Sequence, residues 1–213
     1  MVRHGESTGN VAHALAERDD AEQTDIPEWD ADVPLSDLGC AQSQALGRRL
    51  AAGEPPDVVI SSPYLRALQT ARIALPDASV IRDERLRDRE MGVLYRLTPK
   101  GVAARFPEEM ARWQAAGKFY YRPPGGEAWT DMALRLRTVL AELAREQEGR
   151  RVLIVAHDVV IILARYIIEG LSVEEILEIE KEPVANCSIS RWRYENGTPQ
   201  PVMYNDISHL LAY

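Results

Sequence analysis

Arg3 and His4 stand side by side in the stretch VRHGESTGN, followed at once by a glycine and then by two hydroxyls and an amide. Far along the chain, Arg66 sits in SSPYLRALQTA and His157 ends VLIVAH. Two arginines and two histidines are a set suited to phosphoryl chemistry. Arginine offers a planar fork of donors that matches phosphate oxygens and stays charged at every relevant pH. A neutral imidazole can attack phosphorus and carry the group covalently, which splits one hard displacement into two easier ones. The charge that spreads over the equatorial oxygens during transfer is then held by preorganised cationic donors. Gly5, lacking a Cβ, reads as a point where the backbone comes close to the phosphate.

For these side chains to meet, three separate segments must end at one place. Val58-Val59-Ile60 runs into Ser61-Ser62-Pro63, Val152 to Ala156 runs into His157, and Met1-Val2 runs into Arg3. Short uninterrupted β-branched runs predict strands buried on both faces, as in a parallel sheet covered by helices. Between them, Met132, Leu136, Val139, Leu140 and Leu143 recur at helical spacing over 130–147. Residues 36–52 and 63–75 carry similar patterns, with Pro63 suited to a first helical turn. Ile161 to Ile168 predicts a more buried helix that stops at Gly170.

Strands alternating with helices predict an α/β fold, a three-layer α/β/α sandwich with a mostly parallel central sheet. Two segments break the rhythm: 17–34 is acidic and loop-like, and 93–127 is rich in proline and glycine. The second predicts helix over 99–118, returning through the PPGGE loop. The chain 1–213 is expected to be a single domain with this helical insertion at about 93–127. In such a sheet ligands bind at the carboxyl ends of the strands, where helix amino termini also point. Arg3, His4, Arg66 and His157 all fall there. Only two residues precede Arg3, so either the first strand starts upstream or other elements must hold it.

Composition narrows the partners. Of 213 residues, 46% are apolar and 27% charged, as in ordinary globular proteins. A net charge of -8 argues against sequence-independent nucleic-acid binding, which needs a cationic footprint. Any anion site must therefore be a local concentration of cations set against the global field. Cys40 and Cys187 are too few for a disulfide framework or a four-thiolate zinc site. No apolar run approaches the roughly 18 residues of a membrane span. The expected setting is cytoplasmic, with no membrane, no metal ligand set and no cofactor, a small phosphorylated metabolite as partner, and a homodimer left open.

The stretch VRHGESTGN closely resembles the RHG signature of the histidine phosphatase superfamily, which includes phosphoglycerate mutases and many phosphatases. The resemblance continues through SSPYLRALQTA, RLRDREMG, PPGGEAW and VLIVAHD, in the same order along the chain. It implies that His4 is the nucleophile that becomes phosphohistidine, and that Arg3, Arg66 and His157 surround the transferred phosphoryl group. Asn10 matches a phosphate-contacting amide. Asp88 falls at the general-acid position, counting back from Gly92, with Glu90 as the alternative acid. Ser7, Tyr121 and Arg122 are further candidates for substrate contact. Ser7 is equally a helix-cap type, and Tyr121 is equally suited to packing.

The chain also departs from the pattern. Mutases usually carry Glu where Asp88 stands, Trp where Gly9 stands and, like many members, Gly after the second histidine, where this chain has Asp158. A carboxylate there could raise the pKa of His157 or face away. A mutase must also hold a second phosphate, yet Arg96, Lys100, Arg105, Arg112, Lys118 and Arg122 of the insertion include no adjacent Arg pair. The expected function is thus a metal-independent phosphatase acting on a small phosphomonoester. A phosphoglycerate mutase-type phosphotransferase and a catalytically weak, phospho-ligand- or protein-binding member are the alternatives. Leaving-group specificity is expected from 11–34 and 95–127.

Overall fold

The computed structural model describes residues 1–195 and 198–211. The chain runs β1 (Val2–Arg3), α1 (Thr8–Arg18), α2 (Asp37–Ala51), β2 (Val58–Ser61), α3 (Leu65–Ala74), β3 (Val80–Arg82). The insertion follows as α4 (Pro99–Arg105) and α5 (Pro107–Tyr120), then α6 (Trp129–Glu146), β4 (Val152–Ala156), α7 (Asp158–Glu169), α8 (Val173–Ile179), β5 (Ile189–Glu195) and β6 (Thr198–Asp206). The six strands form one sheet in the order β3-β2-β4-β1-β5-β6. The first four are parallel, and β5 and β6 add on antiparallel.

The three layers follow from the pleat. On β2 and β4, Val58, Ile60, Ile154 and Ala156 face Met132, Leu136 and Val139 of α6 and Val160 to Ala164 of α7. The alternate residues Val59, Leu153 and Val155, with Val2, face Leu46 of α2 and Ala67, Ala71 and Ala74 of α3. Both faces of the central strands are thus apolar, which is why these runs read as continuous rather than alternating. Gly170 caps α7 in the left-handed region at φ 66°.

Several details differ from the sequence reading. Pro63 lies outside α3, whose N-cap is Tyr64. Residues 8–18, for which no helix is predicted, are helical, because Ser7 caps them in a reciprocal box with Asn10. The strands β3, β5 and β6 lie beyond the three apolar runs.

Both edges of β1 are paired, and the residues on either side of it are tied down. The Met1 amine donates to Ser190 O at 2.6 Å, and Ser190 N donates back to Met1 O at 2.9 Å. His4 N donates to Ala156 O at 2.9 Å, and Cys187 N reaches Arg3 O at 3.1 Å. Beyond the strand, Gly5 N donates to Thr70 Oγ1 of α3 (2.9 Å), and Ser36 N to Glu6 O (2.9 Å).

This packing gives Gly5 a reason other than access for phosphate. A Cβ on Gly5 would lie 2.5 Å from Gly39 O, and one on Gly39 would lie 1.9 Å from Glu6 O. The first turn of α2 presses directly on the backbone that follows β1. Gly39→Ala is expected to cost about 3 kcal/mol, because neither side of the contact is a side chain that can swing away. A urea titration reads this as a lower midpoint at unchanged slope; an unshifted midpoint would show that the two backbones can part.

Candidate active site

His4 emerges from β1 with its ring 3% exposed. Its Nδ1 lies 2.7 Å from Gly5 O. A carbonyl can only accept, so Nδ1 carries the hydrogen and Nε2 keeps the lone pair. Burial pushes the imidazole well below the ordinary histidine range, and the charges of His157, Arg66 and Arg3 push the same way, against the opposing Gly5 bond. The product is a neutral imidazole with an available nitrogen.

The sign of the pH effect follows. Below about pH 6.5 the unfolded chain protonates this histidine and the folded one does not, so its contribution to stability falls as pH drops through that window. His4 itself stays neutral there. Single-turnover phosphorylation at pH 5.5, corrected for ionisation of the substrate, is expected to match that at pH 7. A midpoint near 6.5 would show that His4 titrates as an exposed histidine.

His157 ends β4 and forms the N-cap of α7, fully buried. Its ring meets that of His4 edge-on at 5.2 Å between centroids, and that of Tyr64 likewise. Nε2 lies 2.8 Å from Ser62 Oγ. Nδ1 lies 3.2 Å from Asp88 Oδ2, too bent for a good hydrogen bond but close enough for an ion pair when the ring is charged. Asp158 faces away from this ring, toward the Val159 N–H at 2.7 Å and Arg3 Nη2 at 3.5 Å.

Arg66 projects from the first turn of α3 with 4% exposure. Its Nη2 donates to Asp88 Oδ2 (2.9 Å), while Nη1 reaches both the carbonyl of Asp30 (2.6 Å) and its carboxylate (3.0 Å). The guanidinium also lies over the Tyr64 ring at 5.0 Å. Burial alone would raise the Asp88 pKa; His157, Arg66 and the Arg89 N–H instead hold it well below the usual carboxylate range. Arg3 donates to Val184 O through Nη1, and its Nε is buried without a partner among the described residues. A buried guanidinium N–H with no acceptor is a donor awaiting an anion.

The segment that carries Asp88 is held by the PPGGE loop. Glu127 N donates to Glu90 O (2.9 Å) and Val93 N to Pro124 O (3.0 Å). A Cβ on Gly92, at φ +53°, would lie 2.1 Å from Pro124 O. Arg135 donates to Arg85 O at 2.6 Å, to Asp88 O at 3.1 Å and to the Glu127 carboxylate at 3.1 Å. The two motifs thus form one backbone interface with the Asp88-bearing segment on one side.

The five residues Arg3, His4, Arg66, Asp88 and His157 come together at the carboxyl ends of the parallel strands. The other candidates stand differently. Asn10 Oδ1 accepts from Ser7 N (3.1 Å) and Asn186 Nδ2 (3.2 Å), which leaves its amide nitrogen as the donor end. Ser7 is 2% exposed and engaged as the α1 cap. Glu90 is exposed and accepts from Gly92 N. Tyr121 is buried, its hydroxyl donating to Glu109 at 2.9 Å and its ring stacked on Trp113, and Arg122 pairs with Asp131 at the surface. Tyr121 is therefore spent on packing within the insertion and Arg122 on an ion pair. Sequence reasoning missed Asp30, Ser62, Asn186 and Arg135, which hold members of the group, and Glu127, which holds Arg135. Only Ser62 and Glu127 had a signal, as the polar residues directly after β2 and within PPGGE.

The family model for the histidine phosphatase superfamily (branch 1) matches residues 1–207. The chain belongs to this superfamily. It is 35% identical over 196 residues to the 2,3-bisphosphoglycerate-dependent phosphoglycerate mutase 2 of Gloeobacter violaceus, covering 87% of this chain and 83% of the relative. It is 29% identical over 160 residues to the metal-independent phosphoserine phosphatase of Arabidopsis thaliana, covering 74% and 62%. In three dimensions it resembles Bacillus stearothermophilus YhfR, with TM-score 0.80, 26% identity and coverage of 98% and 96%. The mycobacterial glucosyl-3-phosphoglycerate phosphatase superposes with TM-score 0.77 at 26% identity, covering 96% of each chain.

Proposed function

We propose that this histidine phosphatase hydrolyses a small phosphomonoester in two steps through a phosphohistidine on His4. The observation that carries the reading is the His4 tautomer: its hydrogen is committed to Gly5 O, and its lone pair is free within a ring of cations. Arg3, Arg66, His157 and the Asn10 amide hold the phosphoryl oxygens. His4 Nε2 attacks phosphorus, the bond to the ester oxygen breaks, and Asp88 gives that oxygen a proton. The incoming dianion draws Arg66 and His157 away from Asp88 and adds a like charge beside it; both changes raise its proton affinity, so Asp88 takes up the proton it donates from solvent as the substrate binds. Asp88 then takes a proton from the water that attacks the phosphohistidine, releasing inorganic phosphate and restoring His4. Glu90, exposed and bonded to Gly92, is the weaker candidate for this role.

Hydrolysis is favoured over mutase transfer by the fate of the insertion's cations. Lys100, Arg105, Arg112, Lys118 and Arg122 are paired with Asp20, Glu22, Glu109, Glu180 and Asp131, and Arg96 is spent on the carbonyls of Pro27 and Glu28. A second phosphate would have to break such pairs. The mutase reading is kept by the 35% identical relative. Phosphate release from p-nitrophenyl phosphate, lost in His4→Ala, with no interconversion of phosphoglycerate isomers, supports the phosphatase. Isomerisation without release would establish the mutase, and ligand binding without turnover a binding protein.

Histidine and guanidinium supply the nucleophile and the charge, so EDTA is expected to leave turnover unchanged; loss on chelation with rescue by a divalent ion would contradict the mechanism. The whole chain acts as one domain on a small metabolite. Two free thiols fit a cytoplasmic setting, and no helix among the described residues is long and apolar enough to cross a membrane.

A further inference from the structure

The buried cations of the site are ringed by carboxylates on their solvent side. The Asp30 side chain is 34% exposed and that of Asp158 40%, against 5% for Arg66 and 13% for Arg3. Arg66 thus has an outer carboxylate, Asp30, besides Asp88, and Arg3 has Asp158; phosphoryl binding requires neither. Asp30 and Asp88 occupy adjacent amino groups of one guanidinium. Their carboxylates are therefore neighbours across that guanidinium. Asp30 consequently stands beside the ester oxygen that Asp88 serves. Its position is fixed: Arg66 holds its carbonyl, and the turn before it is held by Tyr95 and Arg96, which donate to Glu28 O at 3.2 and 2.8 Å.

We propose that Asp30 determines leaving-group specificity, and that the favoured substrates are phosphomonoesters of amino alcohols, whose ammonium the Asp30 carboxylate receives. This rests on the phosphatase reading above. A spacer of two carbons between ester oxygen and nitrogen keeps the ammonium within reach of a carboxylate that shares one guanidinium with the acid. A carboxylate or second phosphate in the same place would meet Asp30 and Asp158 with no uncommitted cation from the insertion to offset them. The preference is one of charge, so esters of equal length separate it from size.

The test compares O-phosphoethanolamine, 2-hydroxyethyl phosphate and 2-phosphoglycolate, which place an ammonium, a hydroxyl and a carboxylate at the same position. The wild type is expected to rank them in that order by kcat/KM. In Asp30→Asn the ratio of the first to the last is expected to fall tenfold or more, and Asp30→Glu is expected to retain it. Inhibition of p-nitrophenyl phosphate hydrolysis by the three esters gives the same ranking in the wild type without any variant. Equal or better use of the glycolate ester, or a ratio unchanged in Asp30→Asn, would overturn the assignment. No phosphate release from any ester or from p-nitrophenyl phosphate would instead overturn the phosphatase reading, and this inference with it.

Discussion

Asp88→Asn is expected to slow hydrolysis of alkyl phosphates by roughly 10²–10⁴-fold in kcat while leaving the phosphorylation burst with p-nitrophenyl phosphate nearly intact. The contrast arises because an alkoxide leaves only with a proton, whereas p-nitrophenolate leaves without one. In the structure Asp88 touches both Arg66 and His157, its Oδ2 lying 3.2 Å from His157 Nδ1. Loss of the proton donor therefore appears in the leaving-group dependence, and loss of the base appears in slow breakdown of the phosphoenzyme. Equal losses in the rate of the phosphorylation step for both substrates would mean that Asp88 only positions Arg66. Full activity in Asp88→Asn, with the loss found in Glu90→Gln, would move the acid two residues along.

Arg66→Ala is the second large effect, a loss of roughly 10³-fold or more in kcat/KM, the scale of an arginine that stabilises a transferring phosphoryl group. It would also leave Asp30 and Asp88 facing each other without the cation that bridges them. Asp88, now held low partly by Arg66, would rise, so residual kcat/KM is expected to shift its alkaline limb, where the proton donor is lost, to higher pH. Arg66→Lys would restore little, because one ammonium cannot serve two carboxylates and two phosphoryl oxygens in a planar array. A loss under tenfold would place the phosphoryl group elsewhere.

Much of this site was readable because the residues that do chemistry follow strands whose sequences are uniformly apolar. Val152 to Ala156 points to His157, and Val58 to Ile60 points to Arg66, through the rule that ligands sit at the carboxyl ends of parallel strands. Asp30 had no such pointer. It lies in an acidic stretch with no periodicity, and only the folded turn brings it to Arg66. The role of Gly5 was hidden for a related reason, since the contact that requires it is with Gly39, 34 positions away. The β5 strand alternates polar and apolar residues before an Asn-Gly pair that lies outside the described residues, a hairpin signal that a reading based on apolar runs passes over. The two residues of β1 are held by backbone partners on both sides, which no local pattern reveals.

The covalent step on His4 is tested most directly by quenching turnover in alkali, which preserves phosphohistidine, and locating the phosphoryl group by peptide mass spectrometry. The phosphoryl group is expected on His4 within the amino-terminal peptide, absent in His4→Ala, and accumulating to a larger fraction in Asp88→Asn as hydrolysis slows. A phosphoryl group on His157 or on any other residue, or turnover that persists in His4→Ala, would contradict the mechanism.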